Sequence, residues 1–181
     1  MAGFSRRPSR PRCPAHARRV LMMACAGLAL LGAAAVLDAI VRPSPRFVWN
    51  LSASAPLGFY AVSSKGEIAA GDTVIARVPA LWRLWAGRRR YIPVNVPLVK
   101  RVAAIPGDRV CAIGTLVQIN GRGVAIRRLA DGRGLDMPDW HGCRTLGQRE
   151  YLLLGDGPDS FDGRYFGPTG RNDIIGKAHR L

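Results

Sequence analysis

A serine hydroxyl stays a poor nucleophile until a neighbouring base takes its proton, so any hydrolytic chemistry in this chain turns on which serine has a base within reach. Ser5 and Ser9 lie in a basic N-terminal tail, Ser44 in a proline-flanked stretch, and Ser63 and Ser64 in a turn-like run before Lys65-Gly66. Ser52 and Ser54 are more constrained. They sit in Leu51-Ser-Ala-Ser-Ala-Pro-Leu-Gly-Phe-Tyr60, where Pro56 and Gly58 fix a sharp turn just before a strand. Such a turn can present a small side chain at a cleft edge, although the composition is also that of an ordinary loop. Arginine cannot act as the base because it stays protonated, and among 27 basic residues only Lys65, Lys100 and Lys177 are lysines. Of the histidines, His16 lies in the tail, His179 is two residues from the end, and His141 has no G-x-S-x-G nucleophile motif to serve. Lys65 reads as a solvated turn residue and Lys177 as a terminal one. Lys100 follows Val-Pro-Leu-Val and precedes Arg-Val-Ala-Ala-Ile. Strand alternation can turn it into apolar surroundings, where desolvation lowers its pKa and frees a neutral amine. The plain alternative is a snorkelling strand lysine.

The segments around these residues read as mostly β. Strands are expected at Phe59–Val62, Asp72–Val78, Leu98–Ala104 and Tyr151–Leu154, with a last short strand beginning at Ile174-Ile175. Val117-Gln-Ile and Val124-Ala-Ile flank Asn120-Gly121, a hairpin signal because both turn positions require positive φ. Between Pro79 and Arg90 lies Ala-Leu-Trp-Arg-Leu-Trp-Ala-Gly-Arg-Arg-Arg. Two readings fit it: a membrane-interface segment, or a surface helix with a partly buried tryptophan pair.

Val20–Leu37 is uncharged throughout, about the minimum that spans a bilayer core as a helix. Arg6, Arg7, Arg10, Arg12, Arg18 and Arg19 all precede the first acidic residue, Asp38. The positive-inside rule then places the N-terminus in the cytoplasm and everything after residue 41 outside it. A cleaved signal peptide is the rival reading, with Ala33–Ala35 near a cleavage site. The expected organisation is a basic tail (1–19), a single transmembrane anchor (20–41), a stiff linker (42–49) and a folded domain (50–181). The formal net charge of +15 suits an anionic lipid bilayer surface or a solvated basic face. No nucleic-acid motif is visible, so no nucleic-acid partner is expected. Cys111 and Cys143 fall in the exported part, where disulfides persist. A bridge between them, two free thiols, and a zinc site with His141 are the options, the last lacking a fourth ligand.

Ser-Ala-Pro-Leu-Gly-Phe-Tyr (54–60), Val-Lys-Arg-Val-Ala-Ala-Ile-Pro-Gly-Asp-Arg-Val (99–110) and Leu-Gly-Asp-Gly-Pro-Asp-Ser-Phe-Asp-Gly-Arg-Tyr-Phe-Gly (154–167) resemble the three signature boxes of the type I signal peptidase family, peptidase S26. Their order and spacing after an N-terminal apolar helix agree with that resemblance, and the S-x-P-x-G-x-Y form of the first box is similar to the TraF branch of conjugative-transfer peptidases. The resemblance implies a mainly β, signal-peptidase-like antiparallel domain tethered by one helix. It implies Ser54 as nucleophile, Lys100 as base, and the Ser54 N–H with the Ser52 hydroxyl as oxyanion donors. Ser160 would orient the lysine, and Asp162 and Arg164 would brace the site. The reaction would be hydrolysis of a membrane-bound preprotein after small residues, without metal or organic cofactor. A pilin precursor of a conjugative type IV secretion system is the implied substrate; a general type I signal peptidase and a non-catalytic anchored scaffold of a transfer complex are the alternative readings. Three positions depart from the pattern: Gly163 replaces a common serine, Gly157-Pro158 replaces an asparagine-bearing stretch, and Ser54 stands one residue nearer its proline, which leaves Ser52 as the alternative nucleophile.

Overall fold

The computed structural model describes residues 15–40 and 45–181. Cys13 and most of the expected basic tail fall outside that range, as do residue 41 of the expected anchor and residues 42–44 of the expected linker. The N-terminal unit is one helix, α1 (Ala15–Ile40), whose 26 residues extend about 39 Å at 1.5 Å per residue. His16–Leu37 within it has a mean hydropathy of 2.4 and is long and apolar enough to cross a membrane. Its described side chains are exposed on every face.

The second unit, Ser44–Leu181, is mainly β. Its strands are β1 (Phe47–Asn50), β2 (Gly58–Ser63), β3 (Thr73–Ala76), β4 (Leu98–Ala104), β5 (Arg109–Ile113), β6 (Leu116–Ile119), β7 (Arg122–Ile126), β8 (Gly142–Thr145), β9 (Glu150–Leu154), β10 (Thr169–Gly170) and β11 (Ile174–Arg180). Two short helices, α2 (Ala80–Arg88) and α3 (Gly163–Phe166), interrupt them. One antiparallel sheet has the order β1-β2-β11-β3-β4-β9-β10 and a second the order β7-β6-β5-β8. In the first, Phe47–Asn50 pair with Gly58–Ala61 and join the sheet, because Val48 packs on the cluster formed by Tyr60, Ile75 and Val99. The last strand also runs longer than its apolar start suggests. Ladders to both β2 and β3 carry it on to Arg180 through Lys177 and His179.

The β6–β7 turn has Asn120 at φ 50° and Gly121 at φ 81°, the positive values that Asn-Gly tolerates best. In the small sheet Cys111 lies directly opposite Cys143, and the two are joined by a disulfide. Neither thiolate is then available to a metal, and His141 pairs instead with Asp139 at 2.7 Å.

Lys100 occupies the middle of β4, hydrogen-bonded between β3 and β9. Alternation places it on the same face as Leu98, and both line a cleft of about 580 Å³. Arg101 faces the other way, is exposed, and pairs with Asp156 at 2.6 Å.

Candidate active site

The loop after β1 is built around one side chain. Asn50 is buried, and its Nδ2 donates to the carbonyls of Ser52 (3.0 Å), Ala55 (3.0 Å) and Pro56 (3.1 Å). Its Oδ1 accepts from the Ser52 N–H at 3.1 Å and from the Ser52 hydroxyl at 3.0 Å. The Tyr60 hydroxyl donates to the Pro56 carbonyl at 2.8 Å and closes the turn. Ser54 stands at the top of this loop, partly exposed, with its hydroxyl 2.8 Å from that of Ser52. Its carbonyl accepts from the Asp156 N–H at 2.9 Å, and its own N–H is engaged by no other described residue.

Lys100 is 2% exposed, and its Nζ donates to the Ser160 hydroxyl at 2.6 Å. Burial pushes its pKa down to about 8. The negative charges of Asp162 and Asp156 work against that shift and the positive charge of Arg164 works with it. No carboxylate touches the amine. The serine loop and the lysine strand line the same cleft, but in this arrangement Ser54 pairs with Ser52 while Lys100 pairs with Ser160.

Asp162 and Arg164 lie behind the cleft wall, both buried. The guanidinium meets the carboxylate in a two-pronged pair, Nε to Oδ1 at 2.8 Å and Nη2 to Oδ2 at 3.0 Å. The pair then grips the backbone of Gly155: the Gly155 N–H donates to Asp162 at 2.7 Å, and Arg164 donates to the Gly155 carbonyl at 3.0 Å. A Cβ at Gly155 would collide with the Ser160 hydroxyl and fall 2.9 Å from Ser54 Cβ. Gly155 is therefore the spacer that lets the Ser54 loop and the Ser160 loop close on each other. Asp162 also caps the single turn of α3 by accepting from the Arg164 N–H at 3.0 Å.

The structure thus brings Ser52, Ser54, Lys100 and Ser160 to one cleft and sets Asp162 and Arg164 directly behind it. Cys111, Cys143 and His141 do not line that cleft. Asn50 and Gly155 carry structural weight that no motif in the sequence announces. Asn50 ends an unremarkable Phe-Val-Trp-Asn run, and a glycine before Asp156 reads only as a turn.

The tryptophan pair of α2 turns toward this site. Trp82 packs on the cluster of Val78, Leu98 and Phe166, and the Trp85 ring stacks on Phe161 at 6.0 Å. The outward face of α2 carries Leu81 and Leu84, while Arg89 lies over Trp85 at 4.9 Å.

The chain matches the family model described as signal peptidase, peptidase S26, over residues 18–181. It is 32% identical over 167 residues to a plasmid transfer protein TraF of Escherichia coli, covering 86% of this chain and 93% of that protein. It is 31% identical over 165 residues to the conjugal transfer protein TraF of Agrobacterium tumefaciens, covering 83% of this chain and 92% of that one. A signal peptidase I structure from Enterococcus faecalis aligns at 21% identity with a TM-score of 0.37, over 64% of this chain and 98% of that one. The chain belongs to the signal peptidase family, peptidase S26, and within it to the TraF-like group.

Proposed function

We propose that this protein is a membrane-anchored serine endopeptidase in which Ser54 is the nucleophile and Lys100 the general base. The observation that carries the reading is a buried lysine with a depressed pKa, facing the same cleft as a serine on a braced turn. With Lys100 neutral and a substrate in the cleft, the Ser54 proton passes to Nζ as Oγ attacks the scissile carbonyl. The Ser54 N–H is free to donate to the oxyanion. The Ser52 hydroxyl can join it on leaving Asn50, each such donor being worth about 3 kcal/mol. Lys100 then gives its proton to the leaving amine, and the ester on Ser54 is hydrolysed by a water that Lys100 deprotonates in turn. Ser160 holds the amine in position through both steps.

The relatives support a reading of the substrate. Those relatives are named for plasmid and conjugal transfer, and the proposed substrate is a membrane-bound preprotein, a pilin precursor processed for a conjugative type IV secretion system. α1 anchors the chain as a single pass in the inner membrane, with the arginine-rich N-terminus cytoplasmic and the folded unit periplasmic. The test is processing of a co-expressed pilin precursor by wild type, Ser54→Ala and Lys100→Ala, with membrane insertion verified for each. Loss of processing in both variants is expected, and unchanged processing in either removes that residue from the mechanism. Processing of ordinary preproteins but not of the pilin precursor would make the chain a general signal peptidase.

A further inference from the structure

The cleft that holds Ser54 and Lys100 has a volume of about 580 Å³, in the range of sites that enclose whole ligands. Away from the reactive groups the walls are apolar and aromatic: Tyr91, Ile92, Leu98, Met137, Phe161 and Tyr165. Phe161 sits at the centre, stacked on Tyr165 at 6.0 Å and tilted against Tyr91 at 5.4 Å, with Trp85 behind it at 6.0 Å. Each tyrosine oxygen already holds one hydrogen bond: Tyr91 donates to Asp131 at 2.5 Å, and the Tyr165 oxygen accepts from the Arg128 N–H at 3.2 Å. Beyond these contacts the two side chains offer the cleft mainly ring surface.

The charged groups nearby are engaged too. Asp131 accepts from Tyr91, from the Arg133 guanidinium and from two backbone N–H groups, and Arg128 pairs with Asp159 at 2.7 Å. No free carboxylate or guanidinium is left there to select a charged side chain. We propose that this end of the cleft is a specificity subsite for one bulky apolar substrate side chain, leucine- or phenylalanine-sized, beside the bond that Ser54 attacks. The inference rests on the proposed function, since it takes the peptide's reacting carbonyl to lie at Ser54. It commits the substrate to a large apolar residue flanking the cut, in addition to any small one.

The test uses full-length protein in detergent micelles and a panel of tripeptidyl diphenyl phosphonates in which each of the three side chains in turn is Ala, Leu or Phe. Ser54 Oγ forms a bond to phosphorus, phenol leaves, and the rate of that labelling is read. At one position Leu or Phe should react about ten- to a hundredfold faster than Ala, the ratio expected from burying one large apolar side chain. Met137→Trp, which fills the subsite from the cleft wall, should erase the preference. Ile92→Ala, which enlarges it, should shift the preference from Leu toward Phe. An all-Ala reagent as fast as any other overturns the subsite, as does a preference unmoved by both variants. A fluorophosphonate with no side chain reports Ser54 reactivity separately. If it labels wild type but not Ser54→Ala while the panel shows no preference, the subsite alone is wrong. If it labels neither, the proposed function falls and the subsite with it.

Discussion

Two lysines flank the same residue of the large sheet and meet different fates. Lys100 in β4 and Lys177 in β11 are both register partners of Val74 in β3, one on each side. Lys177 is a quarter exposed, 2.8 Å from the Asp72 carboxylate, and donates to the Glu67 carbonyl at 3.2 Å. Lys100 is sealed in and touches only a neutral hydroxyl. Position along a strand therefore does not set the charge state of a lysine; the partner at the tip does. A carboxylate in contact favours the charged amine, whereas desolvation beside a hydroxyl favours the neutral one. The sheet supplies both environments from one row, and only the second opens on the cleft with Ser54.

The sharpest way to break this contrast is to replace each lysine by methionine. Lys100→Met should abolish pilin-precursor processing, a fall of at least about a thousandfold for loss of the base. The same variant should melt higher than wild type at pH 7. A shift from 10.5 to about 8 corresponds to about 3 kcal/mol of unfavourable burial of the charged amine, part of which methionine recovers. Inactivity with a raised Tm is the signature of a residue kept for chemistry. A variant that lost activity and stability together would make Lys100 a structural lysine.

Gly155→Ala comes next. The added methyl has nowhere to go except between Ser54 and Ser160, so it should part the two loops by a fraction of an ångström to an ångström. Displacement of that size costs about a hundredfold in rate. Circular dichroism should be unchanged, and labelling of Ser54 by a fluorophosphonate should slow in parallel with processing. Normal activity in this variant would show that the spacing of the two loops does not matter.

The pH dependence should separate the two lysines again. Activity needs Lys100 neutral, so kcat/KM should rise with pH to a plateau, with a midpoint near 8. Stability should rise over a related window. The folded pKa lies below the unfolded one, so between about pH 8 and 10.5 the unfolded chain binds more protons, and raising the pH favours the folded state by about 3 kcal/mol in total. In Lys100→Met that rise should disappear. Denaturant midpoints measured from pH 7 to 10.5 give the answer, and a rise of equal size in both proteins would assign it to other groups.

How far the sequence foretold this differs between residues for physical reasons. Strand content, the Asn120-Gly121 turn and the long apolar helix follow from local pattern, because backbone preference and apolar run length are local properties. The company kept by Lys100 was half legible. An apolar frame around a lysine predicts burial, whereas the Ser160 hydroxyl at its tip, sixty residues away, could be expected only from the family resemblance and not from local pattern. Asn50 and Gly155 were not legible at all. Their importance lies in five hydrogen bonds folded back over one loop and in a contact between two loops distant in sequence, and neither leaves a periodic trace. The tryptophans of α2 had two readings, and tertiary packing against Phe161 and Leu98 turned them inward. Strand β1 was not legible because a four-residue strand with exposed Phe47 and Trp49 carries little apolar alternation.

The smallest effect expected is at the other lysine, and it completes the contrast. Asp72 accepts from the Ala69 N–H at 2.8 Å as well as from Lys177, and contact with the Lys177 ammonium, ahead of that backbone bond, holds its carboxyl below the usual range. Both partners are about a quarter exposed, so solvent screens the pair. Lys177→Met should therefore cost about 0.5–1 kcal/mol in denaturant melts at pH 7 and leave processing intact. That small contribution should fade as pH falls through the depressed Asp72 pKa, because a carboxyl with a lowered folded pKa stabilises only while it is ionised. If Lys177→Met instead slowed processing without lowering stability, the row of three residues across Val74 would be coupled through the sheet, and Lys100 would owe its state to more than its immediate surroundings.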